Sequence, residues 1–301
     1  MHVVLLGTAA GGGFPQWNCW CPTCRSGRSQ PHRAIPRTQS SAAVSADGER
    51  WFLLNASPDV RAQLACLPGL RPGGVRHVPV EGIVITDAEL DHTLGIVLLR
   101  EARSLQLYST GAVQSILEDD SRLLPVTRAF ADVTVTPLTM GKRTALRYRD
   151  GKTCCLWVEP IEVPAGPPRF ASTSAKGHTV GLIIGDEATG GRCAFVPGCG
   201  ELSPSLLEKL EQTDLVLFDG TFWSGDELIE LGISDRTARE MDHLPVSGPD
   251  GSLARLSAIN TRRVYTHINN SNPMLLEDSP QRSAVEQAGI LVGADGMSFT
   301  L

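Results

Sequence analysis

The chain has 301 residues, 42% of them hydrophobic and 20% charged, a balance that excludes disorder as the global state. Against 33 Asp and Glu stand 27 Lys and Arg, for a formal charge of −6, and no basic block stands out, which excludes nucleic-acid binding driven by phosphate neutralisation. Thirty glycines and 20 prolines exclude a helical bundle and predict many turns, and aromatics at 5% leave aliphatic side chains to fill the core.

In chain order, the opening MHVVLLGTAAGGGF carries a short apolar run without a basic flank. It reads as a buried first strand over His2–Leu6, not as a signal peptide. Further short strands are predicted at Trp51–Leu54, Gly82–Thr86, Leu105–Tyr108, Thr153–Val158, Val180–Ile184, Arg192–Val196, Leu215–Phe218 and Arg263–Thr266. Several are apolar on successive residues, the mark of strands covered on both faces. Helical stretches are predicted at His92–Ser104, Val113–Leu117, Pro204–Lys209 and Ser283–Ala288. The expectation is an α/β chain folded as a four-layer αββα sandwich, one domain over residues 1–301. No run approaches the roughly 18 apolar residues of a membrane helix, so no membrane partner is expected.

Asn18-Cys19-Trp20-Cys21-Pro22-Thr23-Cys24 is a C-x-C-x-x-C. Thiolates are soft ligands, and three in one loop can take three corners of a zinc tetrahedron. The fourth ligand is open: His32 is near in sequence, and a distant loop serves equally well. Such a closed site is structural and pins the glycines of the first loop. Three cysteines within six residues suit a metal in a reducing compartment, which places the protein in the cytoplasm. Cys66, Cys154, Cys155 and Cys193 read as small core residues, and Cys199, in Pro-Gly-Cys-Gly, as a more exposed loop residue.

Chemically capable residues sit just past three strands: Asp87, Asp219 and His267. Ligands collect at strand carboxyl ends in open α/β sheets. In Thr86-Asp87-Ala88-Glu89-Leu90-Asp91-His92 the carboxylates either cap the following helix or hold a metal. His267 tips the balance, because Asp91, His92 and His267 make two imidazoles and one carboxylate on one face of an ion, with Asp219 alongside. That facial set, with its other face open, is associated with non-haem Fe(II) and dioxygen chemistry. His243, in Met241-Asp242-His243-Leu244-Pro245, is either a solvated loop histidine or a group that moves a proton or holds a substrate carboxylate.

The segment Thr86–His92 resembles the metallo-β-lactamase superfamily signature T-H-x-H-x-D-H. The resemblance runs the whole chain, through the Gly-rich first loop, the Phe218-Asp219-Gly220 turn and the late strand ending Thr266-His267-Ile268. The cysteine motif is similar to that of the subgroup containing the phosphodiesterase PhnP. The Met241–Pro245 and Thr266–Pro273 segments resemble the branch that serves pyrroloquinoline quinone biosynthesis. The departures carry the functional reading. Asp87 and Glu89 stand where the two signature histidines belong. No histidine appears near Val163-Pro164-Ala165-Gly166, and Pro197-Gly198 replaces the bridging aspartate. The first metal site is dismantled and the second is kept. A two-metal hydrolase lowers the pKa of a bridging water, so hydrolysis is not expected. At the position of the PhnP zinc's histidine stands Asn270, a poorer fourth ligand.

The resemblance implies a step in pyrroloquinoline quinone (PQQ) biosynthesis: Fe(II)- and O2-dependent hydroxylation of the tyrosine ring in a cross-linked Glu–Tyr precursor derived from a peptide. Asp91, His92, His267 and Asp219 hold or support iron, His243 orients substrate, and Cys19, Cys21, Cys24 and Asn270 hold a structural zinc. The implied partners are that precursor, O2 and other proteins of the pathway. The alternative is a protein that binds or carries PQQ or its precursor, the family being described also in transport to the periplasm.

Overall fold

Strands that are apolar on successive residues have two faces to bury, and the fold supplies a partner for each. The computed structural model describes residues 1–68, 75, 77–172 and 175–301. One sheet uses β1 (His2–Gly7), β2 (Ser41–Ser45), β3 (Trp51–Leu54), β4 (Val80–Val84), β5 (Ser104–Thr110) and β6 (Asp132–Leu138). The second uses β7 (Thr144–Arg147), β8 (Thr153–Glu162), β9 (Val180–Asp186), β10 (Arg192–Val196), β11 (Leu215–Asp219), β12 (Arg262–Thr266) and β13 (Leu291–Val292), and β14 (Ser298–Thr300) returns to the first. The strand orders are β14-β1-β2-β3-β4-β5-β6 and β13-β12-β11-β10-β9-β8-β7. Strands β3 to β6 are mutually parallel, as are β10 to β13, and the other halves are antiparallel.

The period-2 alternation of strand side chains sorts the core into three layers. Val3 and Leu5 point between the sheets, where they join Phe52, Leu54, Val158, Leu182, Phe195, Leu217 and Val264. Val4 and Leu6 point outward with Leu53, Ile83 and Ile85, onto Val60, Ile96, Val113 and Ile116 of helical segments. On the other side, Val196, Val216, Phe218 and Tyr265 pack against Leu206, Leu210, Leu256 and Val285. The outcome is the expected four-layer αββα sandwich. Each fully buried aliphatic side chain of these layers stabilises the fold by about 1.5–3 kcal/mol.

The helices are short, and two of the longest start at well-made caps. Ser203 Oγ accepts from Leu206 N at 3.2 Å and Ser279 Oγ from Arg282 N at 3.1 Å, and Pro204 and Pro280 follow with φ already helical. Several expectations need correction. The stretch expected as one helix from His92 to Ser104 is two short helices, Leu90–Thr93 and Gly95–Leu98, followed by turns. The break falls at Leu94, just before Gly95, whose N donates to Ala56 O at 2.9 Å and where a Cβ would lie 2.4 Å from Ser57 O. The chain presses against the loop after β3 there, and only glycine fits. The strand expected at Gly82–Thr86 ends two residues earlier, at Val84. Cys66 and Cys155 are exposed, not core, because they sit on a helix end and on the outer side of β8, whereas Cys199 is buried. Its Sγ–H donates to Glu201 O at 3.0 Å.

Candidate functional site

The two parallel strand groups open at their carboxyl ends onto one crevice. Register pairs Asp219 with Thr266, so β11 and β12 end side by side and deliver Asp219 and His267 together. His267 turns away from the strand through a left-handed backbone at φ 54°. From the other sheet, the chain leaves β4 through Ile85 and Thr86. Asn55, itself at φ 62°, clamps Thr86 through two hydrogen bonds: its Oδ1 accepts from Thr86 N at 3.0 Å and its Nδ2 donates to Thr86 Oγ1 at 2.9 Å. The loop that follows places Asp87 and the helix carrying Asp91 and His92 at the same crevice. The cavity there, about 270 Å³, is lined by Asp91, His92, His243 and His267 among others.

Donor atoms of Asp91, His92 and His267 lie within 4.8 Å of one another. Asp91 Oδ2 is 3.4 Å from His267 Nε2 and 3.8 Å from His92 Nε2. Donors around one ion with bonds of about 2.1 Å stand about 3.0–3.4 Å apart, so the first pair fits and the second is slightly wide. His92 Nε2 is buried without a hydrogen-bond partner. A buried imidazole nitrogen left bare is costly unless something accepts its lone pair or proton, and a divalent cation does so. The residues present therefore fit a single ion.

Each imidazole is steered from its far side. His92 Nδ1–H donates to both Asp87 oxygens at 2.8 Å, and Thr86 Oγ1 donates to Asp87 Oδ2 at 2.6 Å. Asp87, at the position of the first signature histidine, thus orients a neighbouring histidine. Its role as a cap is confined to accepting from Glu89 N at 2.9 Å. Thr221 Oγ1 lies 2.6 Å from Asp219 Oδ1 and 2.8 Å from His267 Nδ1. Giving its one proton to the carboxylate, the hydroxyl accepts from His267 Nδ1–H and leaves Nε2 bare toward the cavity. Asp219 Oδ2 accepts from His243 Nδ1 at 2.7 Å and from Cys199 N at 3.0 Å, and Thr221 N reaches Oδ1 at 3.0 Å. Asp219 is fully enclosed, with four protein donors on its two oxygens. Asp219, His243 and His267 also have donor atoms within 4.8 Å of one another, a second set with the spacing of a metal site. His243 is no solvated loop residue: its ring stacks on His267 with centroids 5.5 Å apart and meets Phe222 edge-on.

The electrostatics follow from these pairings. Burial pushes His92 toward neutrality, but the Asp87 and Asp91 carboxylates outweigh it and raise its pKa to about 9. Burial likewise opposes and the Asp219 carboxylate prevails at His243, whose pKa is raised. The imidazoles hold Asp87, Asp91 and Asp219 below the usual carboxylate range in spite of burial. Glu89 goes the other way: desolvation, then repulsion from Asp87 and Asp91, lifts it to about 7.

The cysteine trio lies beyond the same loop. Cys21 precedes a helix over Pro22–Ser29, with Pro22 in its first turn and Cys24 buried one turn on, so the expected loop is half helix. The sulfurs of Cys19, Cys21 and Cys24 are within 4.8 Å of one another. The residue the fold brings to them is Asn270. Its Nδ2 is 3.2 Å from Cys24 Sγ, and its carbonyl O lies 3.7 Å from Cys21 Sγ and 3.8 Å from Cys24 Sγ. A half-turn of the amide presents Oδ1 in place of Nδ2. A hydrogen bond from Cys24 holds the Cys21 thiol below the ordinary thiol range. Residues that sequence reasoning passed over are Thr221, Asn55 and Asn269. Thr221, two residues past the strand-end Asp219, carried a readable signal in its Asp-x-Thr spacing.

Three comparisons bear on this geometry. A β-lactamase superfamily domain profile matches residues 50–268. Coenzyme PQQ synthesis protein B of Methylobacterium nodulans is 42% identical over 311 residues, covering 100% of both chains. The crystal structure of Zn(2+)-bound PqqB from Methylobacterium extorquens superposes with a TM-score of 0.90 at 38% identity over 100% of both chains. A diphosphatase from the PhnP family shares the fold, with a TM-score of 0.67 at 20% identity, over 100% of this chain and 97% of its own. The whole-length likeness makes this chain a member of the coenzyme PQQ synthesis protein B family, within the β-lactamase superfamily.

Proposed function

We propose that the chain hydroxylates the tyrosine ring of a cross-linked Glu–Tyr precursor of PQQ, using one ferrous ion held by Asp91, His92 and His267. The observation that carries the reading is the bare, buried His92 Nε2 facing Asp91 Oδ2 beside His267 Nε2, a two-histidine, one-carboxylate set. Ferrous iron with open positions, when bound, supplies dioxygen activation. The protein's own groups do the rest. Asp87 and Thr221 fix the two ligand imidazoles with Nδ1 protonated. Asp219 anchors Thr221 and holds His243, whose remaining nitrogen is free to take a proton from the phenol or to fix its oxygen. The balance is one oxygen atom inserted into a ring C–H bond and the other released as water, with two electrons and two protons from an added reductant such as ascorbate. Asp87 and Glu89 in place of two histidines argue against a two-metal hydrolase. Cys19, Cys21, Cys24 and Asn270 hold a structural zinc in this reading.

The test is anaerobic loading with Fe(II), then labelled O2, a reductant and a cross-linked Glu–Tyr amino acid. One labelled oxygen in the product is expected, lost in His267→Ala. Full iron occupancy without incorporation would overturn the reading.

A further inference from the structure

Asn269 is half-buried and lines both the metal cavity and the cleft beside the cysteines. Its polar groups can be accounted for one by one. The backbone N–H donates to Thr221 O and the backbone carbonyl accepts from Asn272 N, each at 3.0 Å. The amide Nδ2 donates to Ser271 Oγ. Among the described residues no donor reaches Oδ1, so that oxygen is the acceptor Asn269 has left to offer a molecule in the cavity. The direction of the amide follows from a proton count. Glu227 is buried, and its Oε2 accepts from Trp223 N at 2.6 Å. Ser271 gives its one hydroxyl proton to Glu227 Oε1, so its Oγ is left to accept, and only the nitrogen end of the Asn269 amide can donate to it. Turned over, the amide would set two oxygens against each other. The cavity also offers a surface for a ring, since Ala10, Ala165, Phe222 and Met241 line it beside the histidines.

Resting on the hydroxylase reading, we propose that Asn269 is a substrate-binding residue whose Oδ1 accepts the hydrogen bond of the phenol hydroxyl, and that Ser271 and Glu227 are positioning residues that keep this oxygen free for it. An amide carbonyl accepts a hydrogen bond without taking the proton. Asn269 therefore holds the phenol in its neutral form, a task distinct from the proton transfer open to His243. A phenol whose proton is replaced by methyl brings an ether oxygen to Oδ1, two acceptors with nothing to share.

The test reads binding without turnover. Zinc-loaded protein is titrated calorimetrically with the cross-linked Glu–Tyr amino acid and with its phenolic methyl ether. Burial lifts Glu227 to about 7. The titration is therefore run at about pH 8, where that carboxylate accepts and the phenol keeps its proton. The phenol is expected to bind about fivefold tighter than the ether, the scale of one net hydrogen bond. Asn269→Leu, of similar volume, is expected to bring that ratio close to one with zinc content unchanged. Ser271→Ala leaves Oδ1 in place but frees the amide to turn, and is expected to lower the ratio, with Ser271→Thr restoring it. Equal affinity for phenol and ether in the unsubstituted protein, or a ratio untouched by Asn269→Leu, overturns the proposal, and a ratio untouched by Ser271→Ala overturns the positioning role. Failure of the hydroxylase reading looks different: the preference for the phenol persists while iron-loaded protein inserts no oxygen.

Discussion

Thr221 has one hydroxyl proton and two acceptors for it, Asp219 Oδ1 and the His267 carbonyl, so His267 Nδ1 is left to donate, and that arithmetic sets the tautomer of His267. Thr221→Val keeps the volume and removes the acceptor for Nδ1–H, so affinity for the active-site metal is expected to fall about 10- to 100-fold, as when other orienting partners of ligand histidines are lost. Thr221→Ser is expected to restore it. Competition against a chromophoric chelator reads both, and equal affinity in Val and Ser variants would show the hydroxyl to be idle. His92 makes a pH prediction for the metal-free protein. Its folded pKa, about 9, lies above the ordinary 6.5. The pairing with Asp87 therefore stabilises fully below pH 6.5 and is lost as pH rises through 9. Thermal unfolding should show Tm falling across that window, and Asp87→Asn should flatten the fall. Of these residues, Asp91, His92 and His267 were legible from strand-end position and residue type. The turn of Asp87 from ligand to orienter was not, since it depends on a side chain reaching His92 five residues on.

At the level of elements, the loop after β12 strings two sites on four residues. His267 faces the metal cavity, Asn269 lines both that cavity and the cleft beside the cysteines, and Asn270 touches the thiols. Cys21→Ser is expected to release one zinc per chain and lower Tm, while Asp91, His92 and His267 retain their ion. Elemental analysis beside a thermal scan checks it, and undiminished zinc would remove the cysteine site from this account. The strands Trp51–Leu54 and Arg192–Val196 were readable to the residue because bulky apolar runs end at turn residues. Strand β2, Ser-Ala-Ala-Val-Ser, escaped because small side chains carry little periodic signal, yet it is wholly buried in the middle of its sheet. The helix at Gly95 was misjudged for a tertiary reason, the close backbone of residues 56 and 57.

Across the molecule, the four layers were legible because runs apolar on both faces demand covering twice. Among the described residues no helix is long and apolar enough to cross a membrane. Backbone strain is distributed unevenly. Among the described residues, four that are not glycine adopt positive φ: Asn55, Arg122, Asp242 and His267. Two of them, Asp242 and His267, line the metal cavity, and Asn55 clamps Thr86 behind it, a concentration expected where surrounding structure over-determines an awkward conformation for the sake of chemistry. A practical consequence follows for anyone hardening this scaffold. Glycine scanning would flag Asp242 and His267 as cheap routes to ruggedness, and each success would quietly dismantle the metal site, so thermal selection without an activity counter-screen would drift toward inert survivors.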